Sequence, residues 1–321
     1  MIKKAITFIM TLTAALTSAM QATAETTEDL ITPDETYMFA KRDTCDLFMD
    51  IYEPAKGSTT TFEGKEKPTV IFMFGGGFIR GTRDDEDYNK WFRQLTSNGY
   101  RVVSIDYRLG LKGSDKVGVA QVNVLDKAIH MAVEDLFSAT TFIIDNAAEL
   151  GIDPNNMIIS GSSAGAITVM QAEYEIANGT SWSSVLPAGF NYVGVMSFSG
   201  AILSREGKVD FKSDPCPTLM LHGTADELVP YEQIAVFNLG FFGGGKLVKR
   251  FQKYDLNYNM YHFIDYGHEI AGSMDTTLDL QLRFIETNII QGKKRIVEAW
   301  ISDPDVYKGA GPQSRKELYG N

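Results

Sequence analysis

Short apolar runs that alternate with helical patterns predict an α/β fold, a mostly parallel central sheet with helices on both faces and an antiparallel N-terminal edge. Three observations carry this reading. Six runs are of buried-strand length, helical spacing lies between them, and the glycine-rich and acidic turns fall just after the runs. The runs are Thr69–Phe74, Arg101–Asp106, Met157–Ile159, Val193–Phe198, Thr218–Leu221 and Tyr261–Ile264.

Taken in order, the chain opens with Lys3 and Lys4, an apolar stretch from Ala5 to about Met20, and Ala22-Thr23-Ala24, a small-x-small cleavage site before Glu25. This reads as an export signal over residues 1–24, interrupted by threonines and too short for a comfortable membrane span. Residues 25–321 are then expected to form one exported domain, periplasmic or secreted, with polar ends and no stable membrane anchor. Tyr37–Tyr52 is expected to supply the antiparallel edge pair, ending at Glu53-Pro54. Helical patterns occupy about Asp87–Asn98, Leu125–Leu150, Ala164–Asn178, Tyr231–Asn238 and Thr276–Ile290.

The 321 residues carry a formal charge of −11, and residues 1–24 contribute two lysines and no acid, so the remaining domain is more acidic still. Such a surface repels polyanions, which argues against nucleic acid and anionic membranes as partners. The two cysteines, Cys45 and Cys216, do not make a disulfide scaffold; export would allow them to pair, but the expected sheet places them toward opposite edges, which favours two separate thiols. The histidines and cysteines lack zinc-type spacing, and the glycines after the first parallel strand lack the pattern of a nucleotide loop. No metal and no organic cofactor is expected.

In sheets of this kind reactive groups collect at the carboxyl ends of strands. Ile158-Ile159-Ser160-Gly161-Ser162-Ser163-Ala164-Gly165-Ala166 is a strand running through Gly-x-Ser-x-Gly into a helix. A serine at such a sharp turn needs empty places two residues before and after it, which Gly161 and Gly165 provide, so Ser163 is the candidate nucleophile. The helix beginning at Ala164 aims its N–H groups at the same spot. A flexible Gly–Ser turn has the same five letters; the strand before and the helix after favour the catalytic reading.

Phe74-Gly75-Gly76-Gly77-Phe78 follows the first parallel strand and is a candidate oxyanion loop, since backbone without side chains approaches a substrate closely. His222-Gly223-Thr224-Ala225-Asp226 follows another strand and places Asp226 where a carboxylate can hold a histidine in the right tautomer, with Glu227 as its nearest rival. Tyr266-Gly267-His268-Glu269 follows the last run and offers His268 as general base and acid. Of the four histidines, His130 falls in a helix, His222 reads as structural at the turn before Asp226, and His262 reads as packed within a strand.

The order Ser163, Asp226, His268 is that of the α/β-hydrolase fold. With Asp106-Tyr107-Arg108-Leu109 and Gly151-Ile152-Asp153-Pro154, these motifs make the chain resemble the α/β-hydrolase superfamily. Within it, the likeness is to the esterase/lipase branch of hormone-sensitive-lipase-like and carboxylesterase-like enzymes, over about residues 45–290. The resemblance implies a serine esterase with oxyanion donors at the N–H groups of Gly76, Gly77 and Ala164. It departs at Phe74, where the branch usually carries a histidine that braces the loop. The short Gly200–Pro217 connection, where many lipases of this fold carry a helical lid, implies an open site and short-acyl esters, with acetyl or feruloyl groups on carbohydrates as candidates. Aromatic residues at 241–245 and 254–261 offer either a substrate lining or packing beneath loops. A serine peptidase of prolyl-oligopeptidase type and a non-catalytic binding protein of the same fold remain alternatives.

Overall fold

The structure is a computed structural model that describes residues 30–113 and 122–302; the proposed export signal and the polar C-terminal end lie outside these residues. The chain begins with β1 (Glu35–Lys41) and β2 (Asp46–Tyr52), then the small hairpin β3 (Thr61–Phe62) and β4 (Lys65–Glu66), and β5 (Thr69–Met73). A 3-10 turn at Glu86–Tyr88 leads into α1 (Asn89–Ser97), followed by β6 (Val102–Ile105), α2 (Val122–Asp145), α3 (Ala147–Leu150), β7 (Met157–Ser162) and α4 (Ala164–Asn178). Then come β8 (Gly194–Phe198), β9 (Ala201–Ser204), β10 (Thr218–Gly223), β11 (Gln233–Val236), β12 (Leu239–Gly243) and α5 (Gly244–Lys253). The last elements are β13 (Tyr258–Phe263), a 3-10 turn at His268–Gly272, α6 (Leu278–Phe284) continuing as a π-helix through Ile290, and β14 (Val297–Ile301).

Nine strands form the main sheet in the order β1-β2-β6-β5-β7-β8-β10-β13-β14. The first pair is antiparallel and β2 meets β6 antiparallel, while β6 through β14 are parallel. Every residue of β5, β6, β7, β8, β10 and β13 is buried. Consecutive burial, rather than alternation, means that both faces of these strands are covered. On one side α1 meets α6, where the buried Trp91 Nε1–H donates to Gln281 Oε1 at 2.8 Å. Phe72 of β5 packs edge-on against Trp91 and Phe92, with ring centroids 5.1 and 5.4 Å apart, geometries that add to simple area burial. Elsewhere α2 lies against α4.

The strand order explains the location of the site. β5 has β6 on one side and β7 on the other, so the chain reverses its direction of sheet growth there. The loops leaving the carboxyl ends of β5 and β7 diverge and leave a crevice between them.

One expectation is corrected. Tyr231–Asn238 is not a helix: β11 and β12 form a hairpin over that stretch and join β9 in a separate three-stranded sheet. The Gly200–Pro217 connection carries no helical lid; its β9 pairs with β12. Pairing with β12, itself anchored on the distant β9, outweighed the local helical pattern. The aromatic segments are packing: Phe242, Tyr258 and Tyr261 belong to the hydrophobic core, and the exposed Tyr254 donates to Asp210. Cys45, exposed, and Cys216, buried, are both free thiols. Among the described residues no helix is long and apolar enough to cross a membrane.

One buried acid makes stability depend on pH. Glu173 of α4 accepts from Asn191 Nδ2 at 3.1 Å and the Cys216 N–H at 2.8 Å, both through Oε1. Burial outweighs these bonds and pushes its carboxyl up to about 7. A raised carboxyl pKa favours the folded state fully below the unfolded value, and that contribution is lost as pH rises through the folded value. Stability is therefore expected to fall between about pH 4.5 and 7, by an amount on the order of 3 kcal/mol from this group. Urea melts of the unaltered protein and of Glu173→Gln across this range check it; parallel stability curves would contradict it.

Candidate active site

Ser163 stands between β7 and α4 with φ 50° and ψ −112°, a strained conformation for a residue with a side chain. Its backbone is held from both sides. Its N–H donates to the Phe198 carbonyl of β8 at 2.9 Å, and its carbonyl accepts the Ile167 N–H of α4 at 2.9 Å. The flanking glycines are required by contact: a Cβ on Gly165 would lie 2.0 Å from the Met73 carbonyl oxygen, and one on Gly161 would lie 2.3 Å from the Gly165 carbonyl carbon.

Asp226 and His268 reach the same point from the ends of β10 and β13, which are adjacent and in register. His268 Nε2 is 2.8 Å from Ser163 Oγ, and His268 Nδ1 is 2.8 Å from Asp226 Oδ2. The three residues are only 6–7% exposed. Asp226 Oδ1 accepts the N–H groups of Leu228 and Val229, each at 2.9 Å. Burial alone would raise Asp226, but hydrogen bonds from His222 and His268 hold its carboxyl well below the usual carboxylate range. A carboxylate that stays charged can hold His268 with its proton on Nδ1, leaving Nε2 to accept from the serine. Glu227, the rival acid, is exposed.

Two of the remaining histidines have partners of their own. His130 of α2 contacts Asp126 and Glu175, which outweigh burial and push it up to about 9, and it stacks on Trp182. His262 of β13 lies 2.6 Å from the Tyr231 hydroxyl and stacks on Trp300. His222 does more than the sequence suggested. Its Nδ1 faces the Gly244 N–H at 3.3 Å, so the proton sits on Nε2, which lies 3.0 Å from the Val229 carbonyl and 3.4 Å from Asp226 Oδ2. The same turn thus holds the acid from a second direction.

The Gly75–Gly77 loop is placed beside the nucleophile: a Cβ on Gly75 would be 3.3 Å from Ser163 Cβ. In a trans peptide the carbonyl and the N–H point in opposite directions. The Gly75 carbonyl accepts the Tyr107 hydroxyl at 3.3 Å, which turns the Gly76 N–H the other way. The Gly76 carbonyl accepts the Ile79 and Arg80 N–H groups, which turns the Gly77 N–H likewise. Gly76 itself has φ 104°, and any side chain there would strike the Arg80 carbonyl.

The missing family histidine is answered by aromatic residues. Phe74 stacks on Tyr107 with centroids 4.3 Å apart, and the Tyr107 hydroxyl also donates to the Phe74 carbonyl at 2.9 Å. Tyr107 lies in the recognised Asp106-Tyr107-Arg108-Leu109 motif directly after β6, and the β5–β6 pairing would have located it beside Phe74. Among the described residues no group of histidine, cysteine and acidic side chains is arranged to hold a metal.

With this geometry in place, comparisons with known proteins can be read. Residues 49–178 match the family model described as BD-FAE. The fold is similar to that of Thermogutta terrifontis esterase 2 with butyrate bound, at a TM-score of 0.56 and 21% identity, covering 78% of this chain and 92% of that one. Gut esterase 1 of Caenorhabditis briggsae is 33% identical over 107 residues, covering 33% of this chain and 18% of that protein. Secreted lipase 1 of Botryotinia fuckeliana is 28% identical over 180 residues, covering 53% and 27% respectively.

Residues 49–178 are thus similar to the BD-FAE family, and the fold is that of the esterase structures it resembles. The matched stretches span only about a fifth to a quarter of the two curated relatives. The serine turn and the loop after β5 lie within the matched region, while Asp226 and His268 lie beyond residue 178.

The serine turn can be tested on its packing. Gly165→Ala is expected to destabilise the fold by more than ~2 kcal/mol, because the added carbon meets backbone rather than a movable side chain. Gly272→Ala, where a Cβ meets open space, is the matched control. Thermal melts that leave both variants alike would contradict the close approach.

Proposed function

We propose that this protein is an exported serine esterase that hydrolyses carboxylic esters with short acyl groups. The observation that carries the reading is the pair of 2.8 Å contacts joining Ser163, His268 and Asp226 at the ends of three strands. Ser163 Oγ attacks the ester carbonyl carbon as its proton passes to His268 Nε2. The resulting oxyanion is held by the backbone N–H groups of Gly76, Gly77 and Ala164, the last at the start of α4, whose dipole favours negative charge there. When the tetrahedral intermediate collapses, the bond to the alcohol oxygen breaks and His268 returns the proton to it. A water then gives a proton to His268 and attacks the acyl-serine, releasing the carboxylic acid and restoring Ser163. Asp226 stabilises the imidazolium in both halves.

Short acyl groups are favoured by the connection after β8. Where many lipases of this fold carry a helical lid, this chain has β9, whose Leu203 N–H donates to Gln171 Oε1 of α4 at 3.0 Å, so the segment lies along a helix. Relatives named as esterases and a secreted lipase support ester chemistry, and the latter accords with an export signal at residues 1–24. Acetyl or feruloyl groups on carbohydrates are the natural substrates we propose, since export puts the site among extracellular polymers.

Purified residues 25–321 are expected to hydrolyse p-nitrophenyl acetate and butyrate faster than the octanoate. Ser163→Ala is expected to lose at least three orders of magnitude in kcat with an unchanged melting temperature. Equal turnover by Ser163→Ala would contradict the mechanism, and a preference for octanoate would contradict the short-acyl assignment. Acetylated xylan and a feruloyl sugar ester hydrolysed no better than p-nitrophenyl acetate would contradict the carbohydrate assignment.

A further inference from the structure

Tyr88, at the end of the 3-10 turn before α1, belongs to none of the motifs above, yet its hydroxyl lies where three parts of the site meet. It accepts the Gly75 N–H at 2.9 Å and lies beside the Ser162 hydroxyl. Ser162 Oγ is 2.7 Å from the Ala271 carbonyl.

The direction of this chain follows from the number of protons. A carbonyl only accepts, so the single Ser162 proton goes to Ala271. Toward Tyr88, Ser162 can then only accept, while the Tyr88 oxygen accepts from Gly75. The contacts therefore point one way, from the Gly75 N–H to Tyr88 and from Ser162 to Ala271. Each link is a different segment: the loop after β5, the start of α1, the residue directly before the nucleophile, and the turn that carries His268. The ring of Tyr88 is itself fixed, edge-on against Phe72 with centroids 4.6 Å apart and beside Phe92 at 6.3 Å.

We infer that Tyr88 is a positioning residue, whose hydroxyl fixes the oxyanion loop relative to the nucleophile and the base. The inference rests on the esterase reading of the site. Three successive glycines offer little resistance of their own to rotation, so the orientation of the Gly76 and Gly77 N–H groups depends on what holds the peptides before them. Tyr107 grips the carbonyl of the Phe74–Gly75 peptide and Tyr88 grips its N–H. Together the two hydroxyls hold both sides of one peptide plane. Phenylalanine at position 88 keeps the ring packing but leaves the Gly75 N–H without its partner.

Because oxyanion donors act on the transition state more than on the bound ester, the loss should appear in kcat. Tyr88→Phe is expected to lower kcat for p-nitrophenyl acetate by about 10- to 100-fold while KM stays within about twofold. Inactivation by a p-nitrophenyl phosphonate, whose phosphoryl oxygen occupies the oxyanion position, should slow by a similar factor. Ser162→Ala cuts the chain on the far side of Tyr88 and leaves the Gly75 contact in place, so a smaller fall of about 3- to 10-fold is expected. It also reads the same chain should Tyr88→Phe not fold. Undiminished kcat in both variants, or a loss confined to KM, would overturn the role of Tyr88 while leaving the esterase reading intact. Absence of Ser163-dependent turnover in the unaltered protein would instead overturn the esterase reading, and this inference with it.

Discussion

The site depends on how closely two backbones approach. β5 and β7 are hydrogen-bonded neighbours, and at their carboxyl ends the first turn of α4 comes against the last carbonyl of β5, so that a Cβ on Gly165 would lie 2.0 Å from the Met73 oxygen. Only glycine permits that approach. From it follow the sharp turn at Ser163, the entry of α4 with its N–H groups directed at the serine, and the position of the Gly75–Gly77 loop beside the nucleophile.

The remaining groups are held by bonds that cross between strands. The Ser163 N–H is used by Phe198 of β8, Asp226 is satisfied by its own turn and by His222, and Ser162 reaches the turn of His268. The strained serine backbone is thus supported from both sides of β7. Sparsely populated conformations persist where the surroundings over-determine them, and here five strands contribute. The loop after β5 differs in kind, because glycines give it freedom and hydroxyls on neighbouring elements take that freedom away.

Much of this was legible in the sequence because the signals were local. β5, β6, β7, β8, β10 and α4 follow from apolar runs and the Gly-x-Ser-x-Gly turn. The residues read as Ser163, Asp226 and His268 meet within hydrogen-bonding distance. What escaped were features decided by partners distant in the chain. Tyr231–Asn238 carries a helical pattern, yet its β11 pairs with β12, which β9 holds from the other side. β13 begins at Tyr258 because β10 offers it a full-length neighbour, and β14 is a parallel edge strand whose residues 297–301 alternate between exposed and half-buried. Tyr88 left no sequence signal: a tyrosine before a helix is ordinary until the fold sets its hydroxyl beside Gly75. Phe74 read as the loss of a brace, and only the stack on Tyr107 shows what replaces the histidine.

The central claim is that Ser163 takes up the acyl group as a covalent intermediate, and it is tested most directly by acid-quenching the reaction with p-nitrophenyl butyrate and mapping the peptides by mass spectrometry. The account predicts one butyryl group on the peptide that contains Ser163, accumulating further in Asp226→Asn if deacylation is slowed. Acylation at another residue, or turnover with no acyl group on the protein at any quench time, would contradict it.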